Sequence, residues 1–156
     1  MTAGRPPTRD GPASLSLITQ RTVRATPEAL FRAWTTPEIL QTWWGPAGVE
    51  CCGVEIDLRV GGAYRIGNRT PDGSVVWIAG VFEAVTPPHG LVFTWSVGGD
   101  AGAAVERVAV TFTACEAGTR VVVRHDRIPD AQTRDSHEAG WTGCLDGLAR
   151  VLDAAR

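Results

Sequence analysis

The sequence has no cluster of basic residues, and its charges nearly cancel, with 15 lysine plus arginine residues against 17 aspartate plus glutamate residues. Nucleic acid and anionic membrane surfaces attract concentrated positive charge, so neither is an expected partner. No apolar run reaches the roughly 18 residues that span a bilayer, and membrane insertion is not expected. The N-terminus lacks the apolar stretch of a signal peptide, which predicts a cytoplasmic protein.

The four cysteines, Cys51, Cys52, Cys115 and Cys144, include no Cys-x-x-Cys pair. Structural zinc sites use grouped thiolates or imidazoles, and this spacing provides none, so no metal is predicted. Adjacent Cys51 and Cys52 cannot form an ordinary disulfide, and we expect reduced thiols in or near the core. No phosphate-binding loop or other cofactor motif is present, so no cofactor is predicted.

Tyrosine and phenylalanine are scarce, with one and four residues, whereas tryptophan occurs six times in 156 residues. Tryptophans in so small a chain either fill a core or wall an aromatic cavity. The length suits one domain with one core. Residues 1–14 are rich in proline, glycine and threonine and are predicted to be a disordered leader, followed by a single domain over residues 15–156.

The hydrophobic pattern predicts the order of the elements. Leu15–Arg24 alternates as a strand, and Thr26-Pro27-Glu28 and Thr36-Pro37-Glu38 each begin a short helix, with threonine as N-cap and proline in the first turn. Six further strands joined by short turns follow, over Val54–Arg59, Ala63–Arg69, Val75–Val85, Leu91–Val97, Val105–Ala114 and Thr119–Asp126.

The period changes to that of a helix over about Ala131–Ala154, where Trp141, Leu145, Leu148 and Leu152 recur on one face. A helix of this length spans about 34 Å and needs a sheet to lie on. Seven antiparallel strands form a twisted, curled sheet. One helix cannot fill its whole concave side, so an α+β fold with an internal cavity is predicted.

Short motifs along nearly the whole chain, from Leu15 to Leu152, carry a family resemblance. They are Ala25-Thr26-Pro27-Glu28, Trp34, Pro37-Glu38, Trp43-Trp44-Gly45-Pro46, Asp57-Leu58-Arg59-Val60-Gly61-Gly62, Pro71-Asp72-Gly73, Gly80-Val81-Phe82, Leu91-Val92-Phe93-Thr94-Trp95, Gly118-Thr119-Arg120 and Gly140-Trp141. In this order they resemble the START-like (SRPBCC, birch-pollen-allergen fold) superfamily. The nearest branch is the one named for similarity to the activator of the ninety-kilodalton heat-shock chaperone's ATPase.

The resemblance implies a helix-grip fold, in which a curved seven-stranded sheet, two short helices and a long C-terminal helix enclose a cavity. It does not fix the activity, because members resemble lipid carriers, polyketide cyclases, hormone receptors, self-resistance proteins and co-chaperone domains.

Two groups of aromatic residues are candidates for the cavity wall. Trp43 and Trp44 end the second helix and form either an aromatic gate or a packed core; since adjacent helical residues diverge, one of them is expected to be exposed. Trp77, Phe93 and Trp95 lie on central strands, and Phe93 and Trp95 share a face. Each either lines the cavity or packs against the last helix.

The last helix presents Trp141, Cys144, Leu145 and Leu148 on its inner stripe, as cavity lining or as core. His137 precedes Trp141 by four residues on the same face, and His125 shares a strand face with Val121 and Val123. Either histidine is a candidate acid or base, paired with an acid such as Asp126 or Glu138, or is a buried polar residue. Asp57 and Arg59 are interpreted as an ion pair on the outer surface rather than as ligand anchors.

Three functions remain open at this point. The chain binds a small hydrophobic molecule, aromatic or polyketide-like, as a carrier, sequestering or self-resistance protein. Alternatively, it is a cyclase-like or hydrolase-like enzyme that uses the cavity histidines, or a chaperone-accessory protein of the stress response. The expected partner is a small hydrophobic molecule, and the chain is expected to be a monomer or a homodimer.

Overall fold

A computed structural model describes residues 14–46, 48–98 and 105–154 of the chain. Residues 1–13 of the predicted leader lie outside the described part. The described elements follow the predicted order of one strand, two short helices, six strands and a long helix. They are β1 (Leu15–Val23), α1 (Pro27–Thr35), α2 (Pro37–Trp43), β2 (Glu50–Ile56), β3 (Ala63–Arg69), β4 (Val75–Thr86), β5 (Gly90–Val97), β6 (Glu106–Cys115), β7 (Gly118–Ile128) and α3 (Ala131–Ala154).

The seven strands form one antiparallel sheet with the spatial order β1-β7-β6-β5-β4-β3-β2. Because β1 pairs with β7, helices α1 and α2 connect one edge of the sheet to the other. Register shifts interrupt the pairing in β1, β2 and β4 and bend the sheet locally. The curved sheet and its three helices confirm the predicted α+β architecture.

The core lies between the sheet and the helices. Helix α3 buries Trp141, Leu145 and Leu148 of the predicted apolar stripe, whereas Leu152 is half-buried. Alternate residues of β6 and β7 face inward, as strand geometry requires. The buried residues of these three elements include Trp141, Cys144, Leu145, Leu148, Val108, Val110, Phe112, Val121 and Val123. Among the described helices, none is both long enough and apolar enough to cross a membrane.

Strand β2 begins and ends earlier than the sequence predicted. Val54–Arg59 was the expected strand, but β2 runs over Glu50–Ile56. The chain turns directly afterwards, where the Arg59 amide donates to the Asp57 carbonyl and the Gly62 amide to the Arg59 carbonyl. Arg59 Nε also donates to the Asp57 carboxylate at 2.9 Å on exposed side chains, which confirms the predicted surface ion pair.

Threonine precedes both short helices, but only one of the two threonines caps with its side chain. Thr26 Oγ1 accepts from the Ala29 amide at 3.1 Å, whereas Thr36 makes no side-chain cap hydrogen bond. A proline in the first turn is common to both helices. Proline fixes the backbone for the first turn, so α2 can begin without the side-chain cap.

Replacement of Thr26 by alanine is therefore expected to lower the free energy of unfolding by about 1 kcal/mol, through loss of the cap hydrogen bond. Thr36→Ala is the matched control and is expected to change it by less than about half as much, because no cap bond is lost. Urea denaturation of both variants measures the difference. Equal losses in the two variants would contradict the assignment of the cap to Thr26 alone.

Candidate functional site

A pocket of about 310 Å³ lies between the first half of α3, the segment after α2, and strands β3, β4 and β5. Its lining combines aromatic and aliphatic side chains with a few polar groups. The lining residues are Trp44, Pro46, Val49, Asn68, Thr70, Val76, Ile78, Trp95, Val97, Ser136, His137, Gly140, Trp141 and Cys144. A smaller cavity of about 20 Å³ lies deeper and shares Trp44 and Trp95 with it.

Three tryptophans, one directly after α2, one in β5 and one in α3, form the aromatic wall of the pocket. The ring centroid of Trp95 lies 5.4 Å from that of Trp141 and 6.3 Å from that of Trp44, and the rings of Trp44 and Trp141 meet edge to face at 5.5 Å. These separations are typical of favourable aromatic pairs. All three side chains are buried, and each borders the pocket.

The expectation that one of Trp43 and Trp44 is exposed is wrong, because both are buried. Trp44 is the C-cap of α2 and has an extended backbone with ψ at 138°, so the two side chains do not diverge as helical neighbours do. Trp43 turns into the core, where its Nε1 donates to the Ala33 carbonyl at 3.0 Å. Only Trp44 lines the pocket.

Asn68 holds Trp44 in place, a role that was not predicted from the sequence. Its Oδ1 accepts from Trp44 Nε1 at 2.8 Å, and its Nδ2 donates to the carbonyls of Ile66 and Val76. The strand pattern contains a clue, because Asn68 continues the inward series of Tyr64 and Ile66 on β3. A buried polar residue in such a series requires hydrogen-bond partners.

The prediction that Trp77 lines the cavity is wrong, because it lies on the outer face of the sheet. Trp77 pairs with Gly67, whose neighbours Ile66 and Asn68 point inward. A Cβ at Gly67 would lie 2.9 Å from the indole ring, and the Arg65 guanidinium stacks 3.8 Å from the ring centroid. Apolar residues on both faces of β4 obscured the direction in the sequence.

The remaining aromatic and aliphatic candidates divide between the pocket and the core. Trp95 borders the pocket and Phe93 the inner cavity, so the two share the concave face as predicted. Trp141 and Cys144 line the pocket. Leu145 and Leu148 are buried in the core and are not among the residues that line either cavity.

Burial controls the chemistry of Cys144. Desolvation raises the pKa of this thiol to about 12, and a backbone hydrogen bond at Gly45 offsets only part of the rise. A thiol that stays protonated at neutral pH is a poor nucleophile. Cys144 therefore acts as an apolar lining residue.

Behind this wall, Glu106 joins the two inward histidines. Its Oε1 lies 2.7 Å from His125 Nε2 and 2.8 Å from His137 Nε2. The two imidazole rings are stacked with centroids 4.5 Å apart. The His125 side chain is fully buried, whereas those of Glu106 and His137 are 12% and 14% exposed.

Trp141 determines the protonation state of His125. Trp141 Nε1 lies 3.0 Å from His125 Nδ1, and an indole N–H can only donate. His125 Nδ1 is therefore the acceptor, and the single proton of a neutral ring resides on Nε2, which donates to Glu106. Desolvation lowers the pKa of His125, and the hydrogen bond to Glu106 only partly opposes this effect.

Glu106 is the negative charge of this cluster. Burial alone would raise its pKa, but hydrogen bonds from His125 and His137 and the attraction of both rings outweigh burial and lower the pKa to about 2. The carboxylate is thus ionised at neutral pH although it lies beside the aromatic wall.

Glu106, His125 and His137 also bring three possible metal-ligand atoms within 4.8 Å of one another. A metal ion needs a free lone pair on each ligand nitrogen, but Trp141 places the proton of His125 on Nε2. Metal-bound histidines usually donate through their second nitrogen, whereas His125 accepts there. The geometry therefore favours a hydrogen-bonded proton site over a metal centre.

Neither of the acids predicted from the sequence is the hydrogen-bond partner of these histidines. Asp126 accepts from Arg124 at 3.0 Å, and Glu138 is exposed on α3. The acid is Glu106, which lies two residues before Val108, the partner of His125 across β6 and β7. Extending the inward alternation of β6 by one step could have identified it.

The sequence and the fold of this chain are both similar to those of one protein family. The family model described as "Activator of Hsp90 ATPase homolog 1-like protein" matches residues 24–153. No curated protein is similar enough in sequence to count as a match.

Solved structures with the same fold are numerous. A protein from Chromobacterium violaceum is 27% identical with a TM-score of 0.80, covering 88% of this chain and 96% of its own. The AHSA1 protein from Silicibacter pomeroyi is 28% identical with a TM-score of 0.80, covering 91% of this chain and 100% of its own. An AHSA1-like protein from Aeromonas hydrophila is 27% identical with a TM-score of 0.74, covering 90% of this chain and 94% of its own. The chain therefore belongs to the family of proteins similar to the activator of Hsp90 ATPase homolog 1.

Proposed function

We propose that this chain binds a small, flat, largely apolar molecule in the pocket and serves as a carrier, sequestering or self-resistance protein. The observation that supports this most directly is the wall of Trp44, Trp95 and Trp141 around a volume of about 310 Å³. Ligand pockets in proteins usually begin at about this size and are lined mainly by apolar and aromatic side chains.

The chemistry of the lining favours an uncharged ligand. Among the described residues that border the pocket, none is an arginine, an aspartate or a glutamate. A strongly charged molecule would lose its hydration without gaining a permanent counter-charge. Aromatic ligands gain additional stabilisation from edge-to-face and offset contacts with the indole rings.

One polar group of the wall lacks a hydrogen-bond partner in the part of the chain that the structure describes. Trp95 Nε1 is buried and has no hydrogen-bond partner among the described residues. A buried donor without a partner costs about 1–3 kcal/mol, and a ligand oxygen that accepts from it would recover this energy. Flat molecules that carry a carbonyl, ether or hydroxyl oxygen therefore fit the pocket better than pure hydrocarbons.

Gly140 offers a direct test, because it lines the pocket and a Cβ added there would meet nothing within 4 Å. Gly140→Leu is expected to fill part of the pocket and weaken binding of 4-nitroanisole at least about tenfold, which is about 1.4 kcal/mol. Saturable quenching of tryptophan fluorescence measures the affinity. Because glycine is unfavourable within helices, the variant should be no less stable than the wild type.

The matched control is Ala139→Leu, which adds similar bulk at an exposed position one residue earlier on α3. It is expected to leave the affinity for 4-nitroanisole unchanged. Quenching that fails to saturate in the wild type, or equal affinities in all three proteins, would disprove binding in this pocket.

A further inference from the structure

His137 is the one member of the histidine and glutamate cluster that borders the pocket. Its Nε2 is engaged by Glu106 at 2.8 Å. Its Nδ1 has no hydrogen-bond partner among the residues that the structure describes. Within the described part of the chain, this leaves an imidazole nitrogen without a partner on a residue that borders the pocket, with an ionised carboxylate on the opposite side of the ring.

We propose that His137 accepts a proton from a phenol-type or enol-type hydroxyl of the ligand, so that the pocket holds the ligand as its anion. The inference rests on the proposed binding function and specifies the class of ligand. The ligand O–H bond breaks, its proton moves to His137 Nδ1, and the electron pair stays on the ligand oxygen. No net charge enters the site, because an anion and an imidazolium form together.

Glu106 makes this transfer possible by balancing the new positive charge. Among the described residues, the titratable groups in contact with His137 are Glu106 of β6 and His125 of β7, and the two hydrogen bonds to Glu106 fix both rings. His125 cannot be the proton acceptor, because Trp141 occupies its Nδ1 and its Nε2 already carries a proton. His125 therefore helps to orient the Glu106 carboxylate, and His137 takes up the proton.

Trp95, which also borders the pocket, carries a donor without a partner in the described ranges. Its ring meets the His137 ring edge to face with centroids 5.8 Å apart, and its buried Nε1 lacks a partner among the described residues. An N–H hydrogen bond to an ionised oxygen is about twice as strong as one between neutral groups. A hydroxyl ligand thus gains more from this wall than its methyl ether does.

The test compares 4-nitrophenol, whose anion absorbs at longer wavelength than its neutral form, with 4-nitroanisole, which cannot ionise. At one pH unit below the pKa of the phenol, only about one-tenth of the free probe is ionised. The wild-type protein is expected to hold more than half of the bound 4-nitrophenol as the anion. His137→Gln keeps a donor for Glu106 but cannot take up a proton, and is expected to abolish the anion spectrum.

His89→Gln, at an exposed histidine in the turn between β4 and β5, is the matched control and should retain the spectrum. Bound 4-nitrophenol that stays neutral in the wild type, or stays anionic in His137→Gln, overturns proton uptake by His137. Because 4-nitroanisole cannot ionise, its binding tests whether the pocket takes a ligand independently of proton uptake by His137. Failure of both probes to bind would overturn the proposed function and this inference with it.

Discussion

Replacement of Trp141 by alanine is expected to lower the free energy of unfolding by about 3–5 kcal/mol, the range for truncation of a large buried aromatic side chain. Trp141 is 2% exposed and contacts three further tryptophans, Trp34, Trp44 and Trp95, with centroids 5.4–5.9 Å away. Truncation removes these contacts together with the hydrogen bond to His125. The midpoint of urea denaturation measures the loss.

The control for Trp141 is Trp77→Ala, which removes the same side chain from the outer face of the sheet. Trp77 is half-buried and packs on Gly67 and Arg65, so a loss of about 1 kcal/mol is expected. Trp141→Phe separates ring packing from the N–H, because it leaves His125 Nδ1 without its donor, at a cost of about 1–3 kcal/mol. Equal losses for Trp77→Ala and Trp141→Ala would refute the assignment of the two tryptophans to opposite faces.

Glu106→Gln is expected to lower the free energy of unfolding at neutral pH by about 3 kcal/mol. The hydrogen-bonded histidines lower the pKa of Glu106 from 4.5 to about 2, and a depression of this size is linked to roughly 3 kcal/mol of stability. Glutamine can still accept hydrogen bonds, but it carries no charge. Glu138→Gln, at an exposed position on α3, is the control and should have little effect.

The pH dependence provides a second measurement of the same prediction. A carboxyl group with a lowered pKa stabilises the fold above its unfolded pKa, and this stability is lost as the pH falls from about 4.5 towards 2. His125 also makes the fold less stable as the pH falls, beginning at a higher pH. Its pKa is lowered in the folded chain, so below about 6.5 the unfolded chain binds this proton more readily than the folded chain does. Urea titrations across this range should show stability falling with pH, and a flatter curve below 4.5 in Glu106→Gln.

The regular elements were predictable because each depends on a local pattern. The stripe of Trp141, Leu145 and Leu148 predicted α3 over Ala131–Ala154, where the structure has it. Threonine before proline predicted the start of both short helices. Such patterns reflect helix periodicity and backbone capping, which are properties of a few consecutive residues.

The candidate site was less predictable because it depends on contacts between distant residues. Glu106 meets His137 across 31 positions of sequence, and Asn68 meets Trp44 across 24. Alternation along a strand gives two faces but does not say which is inner, and Trp77 was therefore placed on the wrong one. The direction of Trp44 depends on the extended backbone of a single residue after α2.

The pairing of β1 with β7 has a consequence for how the chain acquires its pocket during synthesis. Thr119 Oγ1 donates to the Ala25 carbonyl across 94 positions, and the Arg24 amide donates to Asp153 across 129. Contacts between residues so far apart in the sequence form slowly, because the ends of a long intervening chain must first be brought together. Strand β1 therefore leaves the ribosome long before its partner β7, and the pocket is incomplete until α3 has emerged with His137 and Trp141.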